Sequence, residues 1–248
     1  QKRDELLYSN VKGKNPFKDK RVRQAFYQAI DIDNIKTRVM RGAATPIATM
    51  FPSQVKGYSP DLAKRLPYDV EAAKKLMVEA GYPNGFEVKM NCPNDRYVND
   101  SDICQAVAAN LAKIGVKVNL EAETKGTYFP KILSRNTSFY MLGWTASTVD
   151  AHNVLYPILS SPGDGGRGQF NLGSYSNARV DELTAKVASE TDDKKRNEMI
   201  HEAQKIHQDE IGHLPLHAQS LNWGAKKTVD LVQFPGNEMP WKFVKVNP

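Results

Sequence analysis

From residue 85 onward, apolar and polar positions alternate in three short stretches. Phe86, Val88 and Met90 fall on one face of "FEVKM", and Val116, Val118 and Leu120 on one face of "VKVNL". Over 138–144, Phe139, Met141 and Gly143 alternate with Tyr140, Leu142 and Trp144. A period of two predicts three strands. Between them the period lengthens to that of a helix. Ile103, Val107, Leu111 and Ile114 share one helical stripe, and a second helical stretch near Tyr128 to Ser134 leads into the third strand. Strand, helix, strand, helix, strand at these lengths is a βαβαβ unit, so the three strands should run parallel. Right-handed crossovers then gather their carboxyl ends on one rim.

The flanks are mainly helical. Val22, Ala25, Phe26, Ala29 and Ile30 form a stripe behind Asp19, a plausible N-cap. A short helix is expected over 33–41, stopping at Gly42. Another starts at Asp69, carries Ala73, Leu76, Met77 and Ala80, and ends at Gly81. The stretch 45–67 between them reads as loop. Downstream, "PGDGGRGQFNLGSYS" is a Gly-rich loop. It is followed by helices starting near Asn177 (Val180, Leu183, Val187) and near Asp192 (Met199, Ala203, Ile206). "LPLHAQSLNWGA" reads as an extended strand, and the last twenty residues hold no clear helix.

The rim is where chemistry is expected, because ligands of open α/β sheets bind beyond the carboxyl ends of the strands. The segments there are "CPNDRYVND", "EAETKGT" and "TASTVDAHN". Together they hold Asn94, Arg96, Tyr97, Glu123, Ser147 and Asp150; with Trp144 at the strand end just before the third segment, Asn94, Arg96, Tyr97, Trp144, Ser147 and Asp150 are the candidate ligand contacts. Two of these have a structural alternative. A Trp at a strand end often packs into the fold, and Asp150 could be the N-cap of a helix over 151–160.

Composition narrows the function classes. With 248 residues, 40% hydrophobic and 25% charged, the chain is globular and long enough for a substantial core. No apolar run approaches the length of a membrane span. The formal charge of +6 comes from Lys and Arg interleaved with acids, as in "DKRVRQ" and "DDKKRNE". That is the pattern of a salt-bridged surface, so nucleic acid is not expected as a partner. The chain starts at Gln1, without Met or a signal-peptide profile, and reads as a processed or excised piece. Cys92 and Cys104 are too few for a zinc site. They are either two thiols or one disulfide, which would stabilise the fold by roughly 3 kcal/mol and imply an oxidising compartment.

Catalytic and cofactor signatures are weak. The Gly-rich loop lacks the Lys-Ser/Thr ending of a phosphate-binding loop. His201 and His207 are six residues apart, about 240° around a helix. His213 and His217 straddle Pro215, roughly 13 Å apart if extended, so neither pair suggests a metal site. The acid pairs Asp181/Glu182 and Asp192/Asp193 sit where acids favour helix starts. No G-x-S-x-G is present. No catalytic residue, metal or cofactor is expected, and a hydrolase on the rim or a peptide-binding adaptor stand as alternatives to a transport receptor.

The chain as a whole resembles the periplasmic solute-binding proteins of the peptide/nickel family, family 5. "NPFKDKRVRQAFYQAIDIDNI", "YDVEAAKKLMVEAGYPNGFEVKM", "LAKIGVKVNLE", "MLGWTASTVDAHN" and "YSNARVDELTAKVASETDDKKRNEMIHEAQKIHQDEIGHLPLH" follow family patterns in order. The resemblance implies a periplasmic binding protein-like fold (type II, cluster C-like), with a βαβαβ core and a mixed sheet. It also implies a monomeric, non-enzymatic receptor that closes on a peptide or similar solute and delivers it to an ABC permease. Full-length members are about twice this size, so the chain corresponds to their C-terminal half. Residues 13–217 would be the ligand-binding lobe, and 1–12 and 218–248 the crossing strands and tail that complete an absent N-terminal lobe. A periplasmic location favours a Cys92–Cys104 disulfide. Free-peptide receptors resemble "GW-x-x-D-x-x-D", whose first Asp holds the peptide ammonium. Here Ser147 stands at that position and Asp150 keeps the second, which questions ammonium recognition. Arg96 lies near the position of a carboxylate-clamping Arg in dipeptide receptors.

Overall fold

In the computed structural model, which describes residues 3–234, 236 and 239–247, three parallel strands form the central sheet. Its members are β2 (Glu87–Pro93), β3 (Lys117–Glu123) and β4 (Phe139–Tyr140), in the order β3-β2-β4. Val88 pairs with Val118, while Met90 faces Leu120 on one side and Phe139 on the other. The earliest of the three strands is thus the middle one. Its Val88, Met90 and Cys92 are buried on one face and Asn91 on the other. Asn91 is satisfied there: it donates to Glu121 Oε2 at 2.8 Å and accepts from Thr137 Oγ1 at 2.8 Å.

The expected helices form around this sheet. They are α1 (Lys20–Ala29), α3 (Val70–Glu79), α4 (Asp100–Ala112), α5 (Lys125–Leu133), α7 (Ala178–Val187) and α8 (Asp193–Asp209). Asp19, Asp69, Asn177 and Asp192 each accept a backbone N–H of the first turn that follows them. Such a cap contributes about 1 kcal/mol. Gly81 adopts φ +87° behind α3, the left-handed conformation a C′ residue needs.

Two cores result. One joins α1, α3, α4 and the sheet, with Phe17, Phe26, Phe86 and Phe139 in ring contact at 5.1–6.0 Å: Phe26 meets Phe17 and Phe139 edge-on and stacks on Phe86. The other packs Phe51, Val55, Leu155 and Leu159 against Leu183 of α7 and Ile200 of α8. A two-stranded antiparallel ladder, β1 (Ala44–Pro46) with β5 (His217–Gln219), runs beside them. Ser9 bridges Val88 antiparallel, so the sheet region is mixed.

Several elements depart from expectation. The third strand pairs only at Phe139 and Tyr140; Met141 N still donates to Asn91 O at 3.3 Å, and residues 142–144 continue off the sheet. The helix expected over 33–41 begins as α2 (Ile32–Asn34) and widens to a π-turn over Ile35–Val39. That expected over 151–160 is α6 (His152–Val154) followed by a π-turn over Leu155–Leu159. The expected strand in "LPLHAQSLNWGA" shortens to β5. Residues 3–12 pack onto the rest of the fold: Leu6 is buried, and Lys89 N donates to Tyr8 O at 3.0 Å. After Ser220 a small hairpin of β6 (Val229–Asp230) and β7 (Lys245–Val246) ends the described chain. Of the flanking segments 1–12 and 218–248, residues 1, 2, 235, 237, 238 and 248 lie outside the described residues. Among the described residues, no helix is long and apolar enough to cross a membrane.

Candidate functional site

With β2 in the middle, the connection from β2 to β3 runs one way across the sheet, while the connection from β3 to β4 returns past β2. The crevice between the carboxyl ends of β2 and β4 is therefore a topological switch point. The loops leaving those two ends meet there. Tyr97, after β2, donates its hydroxyl to Gly143 O at 3.2 Å, after β4. A Cβ at residue 143 would lie 2.7 Å from the Tyr97 ring, so only glycine permits the approach. Burial pushes the Tyr97 phenol up, keeping it a neutral donor.

The loop that carries Tyr97 is held from below. Asp100 is 3% exposed. Its carboxylate accepts the N–H groups of Arg96 and Tyr97 at 2.9 and 3.0 Å, and that of Ser101 at 2.9 Å. A Cys92–Cys104 disulfide ties the end of β2 to α4 beneath the same loop. Asn99 takes the left-handed conformation at φ 55° and donates to Val39 O at 2.8 Å. Gln219 of β5 accepts the Val98 N–H at 3.2 Å. Sequence reading missed Asp100 and Gln219. Asp100 carried one legible signal, an acid at a helix start, but nothing local marks Gln219.

Arg96 is exposed, with its guanidinium 4.9 Å from the centroid of the Tyr97 ring, and it meets no carboxylate among the described residues. Asn94 is exposed, and its backbone N–H donates to Glu123 O at 2.9 Å. Across the crevice Trp144 is 37% exposed. Its indole N–H donates to Asn153 O at 3.0 Å and its ring meets Phe170 at 4.8 Å, so one face is packed and the ring direction is set. Ser147 is exposed on the same loop.

Two carboxylates of the rim segments, Glu123 and the candidate Asp150, are turned to other work. Asp150 accepts the His152 N–H at 2.8 Å, as a cap would, and Arg196 of α8 at 2.7 Å. Burial alone would raise this carboxyl, but the Arg196 and His152 hydrogen bonds outweigh it and hold it below the usual range. Glu123 is taken by Lys131 at 2.6 Å. The histidines find partners that sequence spacing did not indicate. His201 meets Asp61 at 2.7 Å, while His207 and His213 share a hydrogen bond of 2.8 Å.

The rim therefore offers an exposed cation at Arg96, aromatic surface at Tyr97 and Trp144, and a neutral hydroxyl at Ser147. It offers no free carboxylate from Asp150. Such a surface suits a solute that presents an anionic group and an apolar part.

Comparison with known proteins agrees in outline. Residues 2–166 match the family model described as bacterial extracellular solute-binding proteins, family 5 Middle. Heme-binding protein A of Haemophilus influenzae is 29% identical over 211 residues, covering 82% of this chain and 37% of that protein. Glutathione-binding protein GsiB of Salmonella typhimurium is 29% identical over 214 residues, covering 83% and 40% respectively. A dipeptide-binding protein from Pseudoalteromonas sp. SM9913, solved in complex with Met-Leu, superimposes with a TM-score of 0.80 at 26% identity. That match covers 94% of this chain and 46% of the solved one. The chain thus spans less than half the length of each of these relatives.

Proposed function

The chain belongs to the bacterial extracellular solute-binding proteins of family 5, a family of binding proteins, and from that membership we propose that it is one lobe of an ABC-importer receptor. The receptor works in the periplasm, closes on a peptide or peptide-like solute and hands it to the membrane permease. Residues 13–217 form the body of the ligand-binding lobe; the flanking segments 1–12 and 218–248 lead toward a companion lobe after packing on this one through Leu6, Tyr8 and residues 218–220 at the end of β5. We assign the lobe no catalytic step and treat the receptor as a monomer.

The observation that carries this reading is the Tyr97–Gly143 contact, which joins two rim loops into one wall at the switch point of the sheet. Asn94, Arg96, Tyr97, Trp144 and Ser147 form that wall. Arg96 engages an anionic group of the solute, Trp144 and Tyr97 flank its apolar part, and Ser147 supplies a neutral hydrogen bond. Asp150 shapes the loop through Arg196 rather than touching the solute. A hydroxyl can accept a hydrogen bond from an ammonium but cannot neutralise it. A charged hydrogen bond is worth roughly 1.5–3 kcal/mol. The favoured solute therefore carries a blocked amine, or has its amine neutralised by the companion lobe. Relatives reported with heme, glutathione and a dipeptide fit the same broad class.

The test uses the full-length receptor, recovered from its native periplasm and denatured, with released small molecules identified by mass spectrometry. A co-purified solute bearing a carboxylate is the expected result. Arg96→Ala should then weaken its binding roughly tenfold. A solute without an anionic group, or one indifferent to Arg96→Ala, would remove the clamp from this reading. One lobe forms half a cleft, so the present chain should bind the same solute only weakly; micromolar binding would overturn the two-lobe mechanism.

A further inference from the structure

Away from the rim, the lobe carries a second concavity of about 270 Å³, between α1, the stretch at 64–66 and the turn that follows α8. The β1–β5 ladder fixes its distance from the first site. Ala44 pairs with Gln219 at the end where Gln219 holds the Val98 N–H of the rim loop. Ala48 and Pro215, beyond the other end, line the concavity. Four residues of extended chain, about 13 Å, separate Pro215 from Gln219.

The wall chemistry is one-sided. Lys20 and Lys64 stand on it, both exposed, and neither meets a carboxylate among the described residues. Asp209 is its one acid among the described residues, and Lys205 takes that carboxylate at 2.8 Å. Tyr27 is only 7% exposed, yet its hydroxyl has no hydrogen-bond partner among the described residues. The oxygen is not sealed within the protein and opens onto the concavity, free to meet a ligand there. Behind the phenol lies Arg65, with its guanidinium 4.6 Å from the ring centroid, its Nη1 donating to the carbonyls of Ile47, Pro215 and Leu216, and its buried Nε without a partner among the described residues. Leu66 and Pro215 add apolar surface.

We propose that this concavity is a second ligand site, taking a small organic anion whose carboxylate meets Lys20, Lys64 and the Tyr27 hydroxyl while its apolar body rests on Leu66 and Pro215. Two unpaired ammonium groups and the Arg65 charge repel a cation. A neutral ligand would gain nothing from them. The volume admits a molecule the size of benzoate and is too small for a long peptide.

Isothermal titration of the present chain with sodium benzoate at constant ionic strength tests the site, with benzyl alcohol as the neutral probe of similar shape. Benzoate should bind saturably with one equivalent and benzyl alcohol should not. The double variant Lys20→Ala/Lys64→Ala should weaken benzoate roughly tenfold, and Tyr27→Phe severalfold, by loss of charged hydrogen bonds. Arg96→Ala should leave benzoate binding unchanged, which separates this site from the rim. Absence of saturable binding, equal binding of benzyl alcohol, or loss on Arg96→Ala with retention in the lysine variant would each overturn the proposal. An unaltered Tyr27→Phe variant would overturn the role given to the phenol.

Discussion

Gly143 decides how the two rim loops meet, because a single added carbon would strike the Tyr97 ring at 2.7 Å. Gly143→Ala should therefore displace Tyr97 and lower solute affinity in the full-length receptor, while the lobe loses only about 1–3 kcal/mol of stability, the usual cost of overpacking. Calorimetric titration beside a urea denaturation curve separates the two effects. Asp150 makes the opposite case. It and Arg196 are mostly buried at 14–26% side-chain exposure, so Asp150→Ala strands a guanidinium and should cost about 2–3 kcal/mol. That loss would appear in urea denaturation, with the solute's charge preference unchanged. The His207–His213 pair gives the lobe a pH dependence. Burial holds His213 down to about 4 and His207 well below its ordinary value, with the neighbouring histidine and Arg23 acting in the same direction on His207. Tyr175, bonded to Glu210, packs edge-on to His207 at 5.0 Å. An unfolded histidine takes its proton near pH 6.5, whereas the folded pair does not, so stability is complete above that pH. It falls as the pH drops from about 6.5 toward 4, by about 1.4 kcal/mol per pH unit for each histidine. Urea denaturation at pH 7, 6 and 5 should show this slope, and His213→Gln should reduce it. A flat profile would mean that the pair titrates alike in both states.

At the scale of elements, the amphipathic stripes and their caps were legible because both are local. Val22, Ala25, Phe26 and Ala29 share a helix face through spacing alone, and Asp19 reaches N–H groups two residues away. The third strand was overextended for a non-local reason. Met141 to Trp144 alternate as a strand would, but Tyr128 and Tyr97 bond the carbonyls of Met141 and Gly143 and draw the chain off the sheet. The loop from β2 to α4 shows how an element holds the site. It is bounded by Cys92 and Cys104 and organised by Asp100. Replacing both cysteines with Ala should lower the unfolding free energy by about 3 kcal/mol. Faster amide exchange confined to 94–99 should accompany it in hydrogen-exchange measurements. Unchanged exchange there would assign the loop's order to Asp100 alone.

The whole molecule is uneven in what it covers. The two cores close on themselves, and strand pairing with this lobe ends at β5, where Ser220 N still donates to Ala43 O at 3.2 Å. Past it, Trp223, Phe234, Phe243 and above all Trp241, at 76% exposure, are left on the surface. Clustered exposed aromatics usually mark a contact surface. A chain ending at Ser220 should keep its melting temperature within about 3 °C and bind less of a hydrophobic dye. A large loss of stability would instead make the tail part of this lobe's fold.

By itself, the sequence determined the order of the elements, their caps, the parallel βαβαβ unit and the pair of cysteines able to bond. Periodicity and capping act within a few residues, and that is the range over which a sequence can be read directly. Tertiary structure alone decided which strand lies in the middle and which polar groups are already committed. Asp150 finds Arg196, Glu123 finds Lys131 and the Trp144 indole finds Asn153, while Arg96, Ser147 and the Tyr27 hydroxyl do not find such partners. These outcomes turn on which segments are packed together. A buried or crowded polar group takes whatever partner the fold brings within about 3 Å, and the distance along the chain has no say in it.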